Sequence, residues 1–432
     1  MERLRTGTVR LLRWSERYMQ IDMVYAMSGG FWLTVGYLAS SVSSFVLAVV
    51  FANLLDPNVY GTYKYILSVT SVLAISVLPG IDSSLVRAVS RGKEGTMFVV
   101  MRTRVLWGIG ANTAALLIAF YYWYSGNASI ASAFVVVAFF ISILDPLASY
   151  DDLLRGRGAF RSASALAITG QIASTVLLCA AAVWSPSLFF IVLAYFGGWT
   201  CIRGLLFLYT LRVYPPNTER DSTAIPYGKH LTVMKAANTI ASSIGSILLF
   251  HISGVQLAIF SIAVAPIEQL RGLLGLIESL VFPKFSRETW AMWSLGTLVR
   301  KTWIFFASFT FCIGVYIAVS PYLFAFLFPK YLASVPYTQL WSLSLMITIY
   351  TTLLGSMLRA KQEVRKLYVF NTASIVTTLV FTPPLTYFYG IWGLLAGQFA
   401  TKSVELVLLF VLIFFTAPSA EKPTAIGATT PE

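Results

Sequence analysis

GGFWLTVGYLASSVSSFVLAVVFANLL (29–55), DPNVYG (56–61), TYKYILSVTSVLAISVLPG (62–80) and IDSSLVRAVSRGKEG (81–95) follow one another near the start of the chain. The first and third segments are apolar, and each is long enough to cross the hydrocarbon core of a bilayer as a helix, which takes roughly 20 residues. The turn between them carries only Asp56, whereas the segment after them carries Arg87, Arg91 and Lys93. Charge of this asymmetry orients a helical hairpin, because basic loops stay on the cytoplasmic side.

The same unit recurs along the chain. Twelve apolar runs are predicted, at 29–52, 61–80, 105–124, 130–150, 163–184, 187–209, 231–250, 256–280, 302–324, 337–357, 367–388 and 391–416. The loops on one side of them hold a single cation, Lys330. Those on the other side hold clusters such as Arg102–Arg104, Arg155–Arg157–Arg161, Arg212–Arg220–Lys229 and Arg359–Lys361–Arg365. The arm before the first run adds Arg3, Arg5, Arg10, Arg13 and Arg17, so both termini are expected in the cytoplasm.

Composition agrees. Hydrophobic residues make up 57% of the chain and charged residues 11%, against about 25% charged in soluble domains. The net charge of +13 is explained by the cytoplasmic loops, so no nucleic-acid partner is implied. Neither the arm nor the stretch 81–104 is long enough to bury a core of its own. Cys179, Cys201 and Cys312 lie inside apolar runs without metal-like spacing and read as packing residues.

A short internal repeat divides the chain. Leu154-Arg155-Gly156-Arg157 followed by Arg161 matches Leu358-Arg359-Ala360-Lys361 followed by Arg365, at equivalent places in two halves. The expected organisation is a basic arm (1–28), a six-helix lobe (29–211), a linker with Pro215-Pro216 (212–228), a second six-helix lobe (229–416) and a cytoplasmic tail (417–432). Two parallel six-helix halves are an architecture of transporters.

Polar residues inside the runs mark the candidate site, since lipid cannot satisfy them. The first run offers Tyr37, Ser40, Ser41 and Ser44, and the second Lys64, Ser68 and Ser71. The seventh offers Lys235, Asn238, Thr239, Ser242 and Ser246; the eighth offers Ser261, Glu268, Arg271, Gly272, Gly275 and Ser279. The expected cavity residues are Ser40, Ser44, Lys64, Ser68, Lys235, Asn238, Glu268 and Arg271. Small residues at such spacing also serve close helix packing, Lys64 can also snorkel toward an interface, and Glu268–Arg271 can also be a bridge along one helix face. Lys402 and Glu405, three apart in the last run, read as a structural pair. Asp145, just before Pro146, is the deepest acid of the first half and, with Glu268, a candidate for coupling to an H⁺ or Na⁺ gradient. No metal or organic cofactor is expected. The outward loops offer Asp56 and His251 and little else for acid–base chemistry, which argues against a membrane-embedded polymerase or glycosyltransferase.

Several phrases resemble one family. Leu54-Leu55-Asp56-Pro57, then Tyr60-Gly61-Thr62-Tyr63, and Leu78-Pro79-Gly80-Ile81-Asp82 resemble the opening of the polysaccharide-biosynthesis flippases, which move lipid-linked oligosaccharides. These belong to the multidrug/oligosaccharidyl-lipid/polysaccharide (MOP) exporter superfamily. Val281-Phe282-Pro283-Lys284-Phe285, Phe328-Pro329-Lys330-Tyr331 and Gly390-Ile391-Trp392-Gly393 are similar to later phrases of that family. The resemblance implies a MOP/MATE-like all-α polytopic fold and an inner-membrane carrier for an undecaprenyl-diphosphate-linked glycan. It also implies alternating access through a cationic central cavity, in which Lys64, Lys235 and Arg271 would meet the diphosphate or acidic sugars. Membrane lipids and the polymerase and chain-length machinery of the same pathway would be its partners. Members dedicated to the peptidoglycan precursor have fourteen helices, so twelve favour O-antigen or exopolysaccharide units. A MATE-like drug/cation antiporter of the same superfamily is the alternative.

Overall fold

A computed structural model describes residues 23–287, 295–360 and 363–415, with side chains from 30–272, 307–359, 363 and 365–415. The arginines of the basic arm, the tail 417–432, and the side chains of Ser279, Lys284 and Lys301 therefore lie outside it. Every regular element among the described residues is a helix.

The first half comprises α1 (Met23–Leu54), α2 (Pro57–Leu73), α3 (Ile81–Ser90), α4 (Thr96–Tyr124), α5 (Ala128–Leu144), α6 (Ser149–Gly156), α7 (Phe160–Trp184) and α8 (Leu188–Val213). The second comprises α9 (Ala224–Ile252), α10 (Gly254–Arg287), α11 (Leu295–Leu327), α12 (Val335–Ala360) and α13 (Val364–Phe410). Nine helices among the described residues are long and apolar enough to span a membrane, or ten if the bent pair α2–α3 counts as one span. The chain is thus a multi-pass membrane protein. Twelve is reached only by adding α10 and by dividing α13, which is a single apolar stretch by length. Gly390 gives a physical reason to divide it. Its φ of 57° lies in the left-handed region, and beyond it Gly393 folds back so closely on Leu385 that a Cβ there would lie 1.7 Å from the Leu385 carbonyl oxygen.

Local chemistry sets the helix ends. Asp56 caps α2 by accepting the Asn58 N–H (2.8 Å), with Pro57 at the first helical position. Asn127 caps α5 through the Ile130 N–H. The second run departs from expectation. It ends as α-helix at Leu73, tightens to a 3-10 turn over Ala74–Val77, and breaks at Leu78, a non-glycine residue with φ 61°. Such a conformation costs about 1 kcal/mol, and Pro79 forbids straight continuation. The chain resumes as α3 at a 50° bend. The stretch 81–104 is accordingly helical for much of its length rather than a loop, and Arg104 is a buried residue of α4.

The halves pack within themselves through α1–α7, α4–α5, α5–α8, α10–α12, α12–α13 and α9–α13. They meet along α2, which lies between α9 and α10. Tyr65 stacks on Phe250 at 4.0 Å, Ser71 hydrogen-bonds Ser243 at 2.9 Å, and beyond α2 the Gly80 N–H donates to Thr232 Oγ at 3.0 Å, so α2 and the bend after it run antiparallel to α9 from Phe250 to Thr232. At the end away from the basic loops Gly61 abuts Gly254: a Cβ on Gly61 would lie 1.8 Å from the Gly254 carbonyl oxygen. Nearby, Lys330 Nζ donates to the Asn53 carbonyl (2.6 Å). Outward faces are apolar, as on α4, where Leu106, Ile109, Leu117 and Phe120 are exposed. Cys201 and Cys312 are also exposed, which corrects their reading as packed residues.

Candidate functional site

A cavity of about 600 Å³, lined by polar and charged side chains among apolar ones, opens in the second half, walled by α9, α10, α12 and α13. That size is typical of small-molecule sites, roughly 300–1,000 Å³. Asn238, Glu268 and Arg271, expected from the sequence, line it. So do Lys402, Glu405, Ser374 and Thr378, on the two arms of α13. Lys402 and Glu405 form the pair expected from their spacing, and that pair also lies on the cavity wall. The signal was present in the chain: Ser374 and Thr378 stand four apart, and Gln398, Thr401 and Glu405 form a second row at helical spacing.

The charges of the wall are internally neutralised. Arg271 Nη1 lies 3.3 Å from Glu268 Oε1, with side chains 37% and 44% exposed. Lys402 Nζ lies 2.6 Å from Glu405 Oε2, with side chains 19% and 8% exposed. The first pair thus stands at the open side and the second at depth. Ser374 donates to the other oxygen of Glu405 (2.5 Å), which satisfies a carboxylate that would otherwise be costly to bury. Among the described residues the wall holds two acids and two bases, a balanced rather than a cationic lining.

The remaining expected residues are elsewhere. Lys235 turns out of the cavity, and its Nζ donates to the Pro79 carbonyl (2.8 Å), freed by the break before α3. Lys64 lies 5.4 Å from the Tyr60 ring centroid, and no carboxylate pairs with it among the described residues. Ser68 donates back to the Lys64 carbonyl (3.0 Å). Ser40 and Ser44 are on α1, half-buried and exposed, outside the cavity wall; α1 reaches α10 instead through Ser41, bonded to Gln269 (2.5 Å). Only Arg271 of the three expected cations lines the cavity, so a single cavity shared by all three is not what the fold builds.

Asp145 has a different environment from the open acid site expected. Helix α5 ends at Leu144, and Arg203 Nη1 takes both the freed Leu144 carbonyl (3.0 Å) and Asp145 Oδ1 (3.0 Å) while lying over Trp199. A second pair near the bend, missed in the sequence, joins Arg104 Nη1 to Asp82 Oδ1 at 2.7 Å. No three His, Cys, Asp or Glu side chains among the described residues converge to hold a metal ion.

Outside the membrane-spanning segments, one cluster ties the connection between the halves to the first half. Arg157 donates twice to Glu94 (2.6 Å each) and once to the Pro215 carbonyl (2.8 Å). The Asn217 N–H donates to Glu94 (2.9 Å) and its side chain to the Gly92 carbonyl (2.6 Å). The Arg157 guanidinium holds the Glu94 carboxyl below its ordinary range, and Glu94 in turn raises Arg157.

The chain is thus an all-helical, multi-pass protein with a cavity lined by polar and charged side chains in its second half. The chain belongs to the polysaccharide biosynthesis protein family, whose model matches residues 26–288. Its fold is that of the MOP superfamily. It is similar to the lipid II flippase MurJ in an inward closed conformation, at a TM-score of 0.66 and 13% identity over 89% of this chain and 87% of that one. It is also similar to an inward-facing multidrug resistance MATE transporter (TM-score 0.63, 14% identity, 87% of this chain and 93% of that). A third likeness is a MOP transporter from Pyrococcus furiosus described by the reverse polarity of its binding pocket (TM-score 0.59, 13% identity, 89% and 95%). No curated protein matches in sequence.

Proposed function

We propose that the chain is a twelve-span flippase with both termini in the cytoplasm. It turns undecaprenyl-diphosphate-linked oligosaccharides from the cytoplasmic to the outer leaflet of the inner membrane, by alternating access between two six-helix halves, for O-antigen or exopolysaccharide synthesis. The polymerase and chain-length proteins of the same pathway are its natural partners.

The observation that carries this reading is Lys64. A cation at membrane depth costs about 2.5–3.5 kcal/mol on insertion scales. Lys64 offsets that with one aromatic face and no carboxylate among the described residues. Its charge is left for an anion, and it stands on α2, the helix packed between α9 and α10 of the cavity wall. A diphosphate presented there keeps its tail in lipid while its sugars reach the cavity. The acids of the cavity, by contrast, are already paired with cations. That arrangement favours a lipid-linked anion over the organic cation of a MATE-like antiporter. Coupling to H⁺ or Na⁺ is assigned to Glu268, held by Arg271 at 3.3 Å with its side chain 44% exposed, ahead of Asp145, held more closely by Arg203 at 3.0 Å and 38% exposed.

The test uses vesicles containing the full chain and a fluorescent undecaprenyl-diphosphate disaccharide. The rate at which an external reagent gains access to the sugar is measured. Lys64→Gln removes a charge-assisted contact to phosphate and should slow the rate about tenfold or more. An unchanged rate, or efflux of organic cations without lipid movement, would refute the proposal.

A further inference from the structure

Four polar groups on the cavity wall have no partner among the described residues. Ser246 on α9 and Gln398 on α13 make no hydrogen bond to any described residue. The indole N–H of Trp341 on α12, a residue 3% exposed, and the Oγ1 of Thr382 on α13 have none either. Ser246 and Gln398 are half-buried and open to the cavity, while buried groups such as those of Trp341 and Thr382 nearly always find a partner, so the wall is furnished for a ligand rich in hydroxyl and amide groups. The rings of Trp341 and Phe260 add apolar surface between these groups. The charges do the opposite of inviting an ion, since each base is held by its own acid at 3.3 Å or 2.6 Å.

We infer that this cavity is the sugar subsite, separate from the diphosphate contact at Lys64, and that it selects sugars without net charge. The inference rests on the flippase reading above and adds to it the class of glycan. A uronic acid or sulfated sugar would bring a third anion against two cations that are already neutralised. Its desolvation would go uncompensated. A neutral sugar loses no such hydration and gains the idle donors and acceptors.

Three lipids serve as probes for the full chain in nanodiscs: undecaprenyl diphosphate alone, the same lipid carrying a neutral disaccharide, and the same lipid carrying a disaccharide with one uronic acid. The neutral head should tighten binding about tenfold over the bare diphosphate, as two added hydrogen bonds would, and the acidic head should give no gain. Gln398→Leu combined with Ser246→Ala should reduce the neutral gain to about twofold while leaving the bare lipid unaffected. Glu405→Gln frees Lys402 and should reverse the preference toward the acidic head, a gain that a misfolded variant cannot produce. Equal or tighter binding of the acidic head by the parent protein overturns the inference alone, as does a neutral gain that survives the double variant. Failure of all three lipids to bind overturns the flippase reading and the inference with it.

Discussion

Replacing Asp82 by Asn isolates the contact that fixes the bend between α2 and α3. Arg104 is buried, with its side chain 4% exposed, whereas Asp82 is 37% exposed. Breaking a fully buried pair by removing one partner costs about 3–5 kcal/mol, but the water-facing edge of Asp82 screens part of that. Arg104 also retains its Nε bond to the Val77 carbonyl at 3.2 Å. The expected loss is therefore about 2 kcal/mol, or a fall of about 4 °C in the thermal midpoint. Arg104→Met in the same chain removes the orphaned cation. The double variant should regain at least about 1 kcal/mol relative to Asp82→Asn, as expected for residues in direct contact. The assay is thermal unfolding of the purified chain in detergent, followed by tryptophan fluorescence for the parent, both single variants and the double. An Asp82→Asn variant that melts with the parent, or a double variant that melts no higher than Asp82→Asn, would refute the claim that this pair holds the bend.

Two further outcomes follow from the geometry. Gly61→Val places a side chain where the Gly254 carbonyl already lies, so α2 and α10 must separate at that end; a disulfide between cysteines placed at 58 and 255 should form several-fold more slowly than in the parent. The Glu94–Arg157 contact has a pH dependence of known sign. Because Glu94 is held below its ordinary range in the folded chain, its stabilisation is complete above the unfolded carboxylate value of about 4.3. It is lost as pH falls through the lower folded value. Distances between spin labels at Ser90 and Glu219 should broaden at acid pH and, in Glu94→Gln, already at neutral pH.

Hydropathy and charge alternation made the helical, multi-pass character plain, because lipid imposes one rule on every run: satisfy the backbone internally. Within the site the legibility was uneven. Asn238, Glu268 and Arg271 were found because they interrupt apolar runs in the first two helices of the second half. Lys402 and Glu405 were passed over because three-residue spacing describes an ion pair equally well on a lipid-shielded face and in a cavity; only the fold of α13 back on itself at Gly390 decides which. Lys235 shows the reverse case. Its depth in the chain suggested a ligand contact, but the partner is a carbonyl freed more than 150 residues earlier by a proline break, and no local pattern announces such a meeting. Arg104 reads as a loop cation because Arg102 and Arg104 interrupt the short apolar stretch Met97–Met101 with which the helix restarts after Thr96.

The stretch Tyr214–Thr223 joins the halves, yet through Glu94, Arg157, Asn217 and the Asp221 N–H on Thr96 Oγ (2.8 Å) it is clamped to only one of them. A rocking motion of the carrier would therefore not be absorbed along a slack tether. It would have to be taken up beyond Thr223, in α9 itself, whose first turns still rest on α3 and the bend before it through Ile225 and the Gly80 N–H on Thr232, so the clamped segment belongs to the first half's frame.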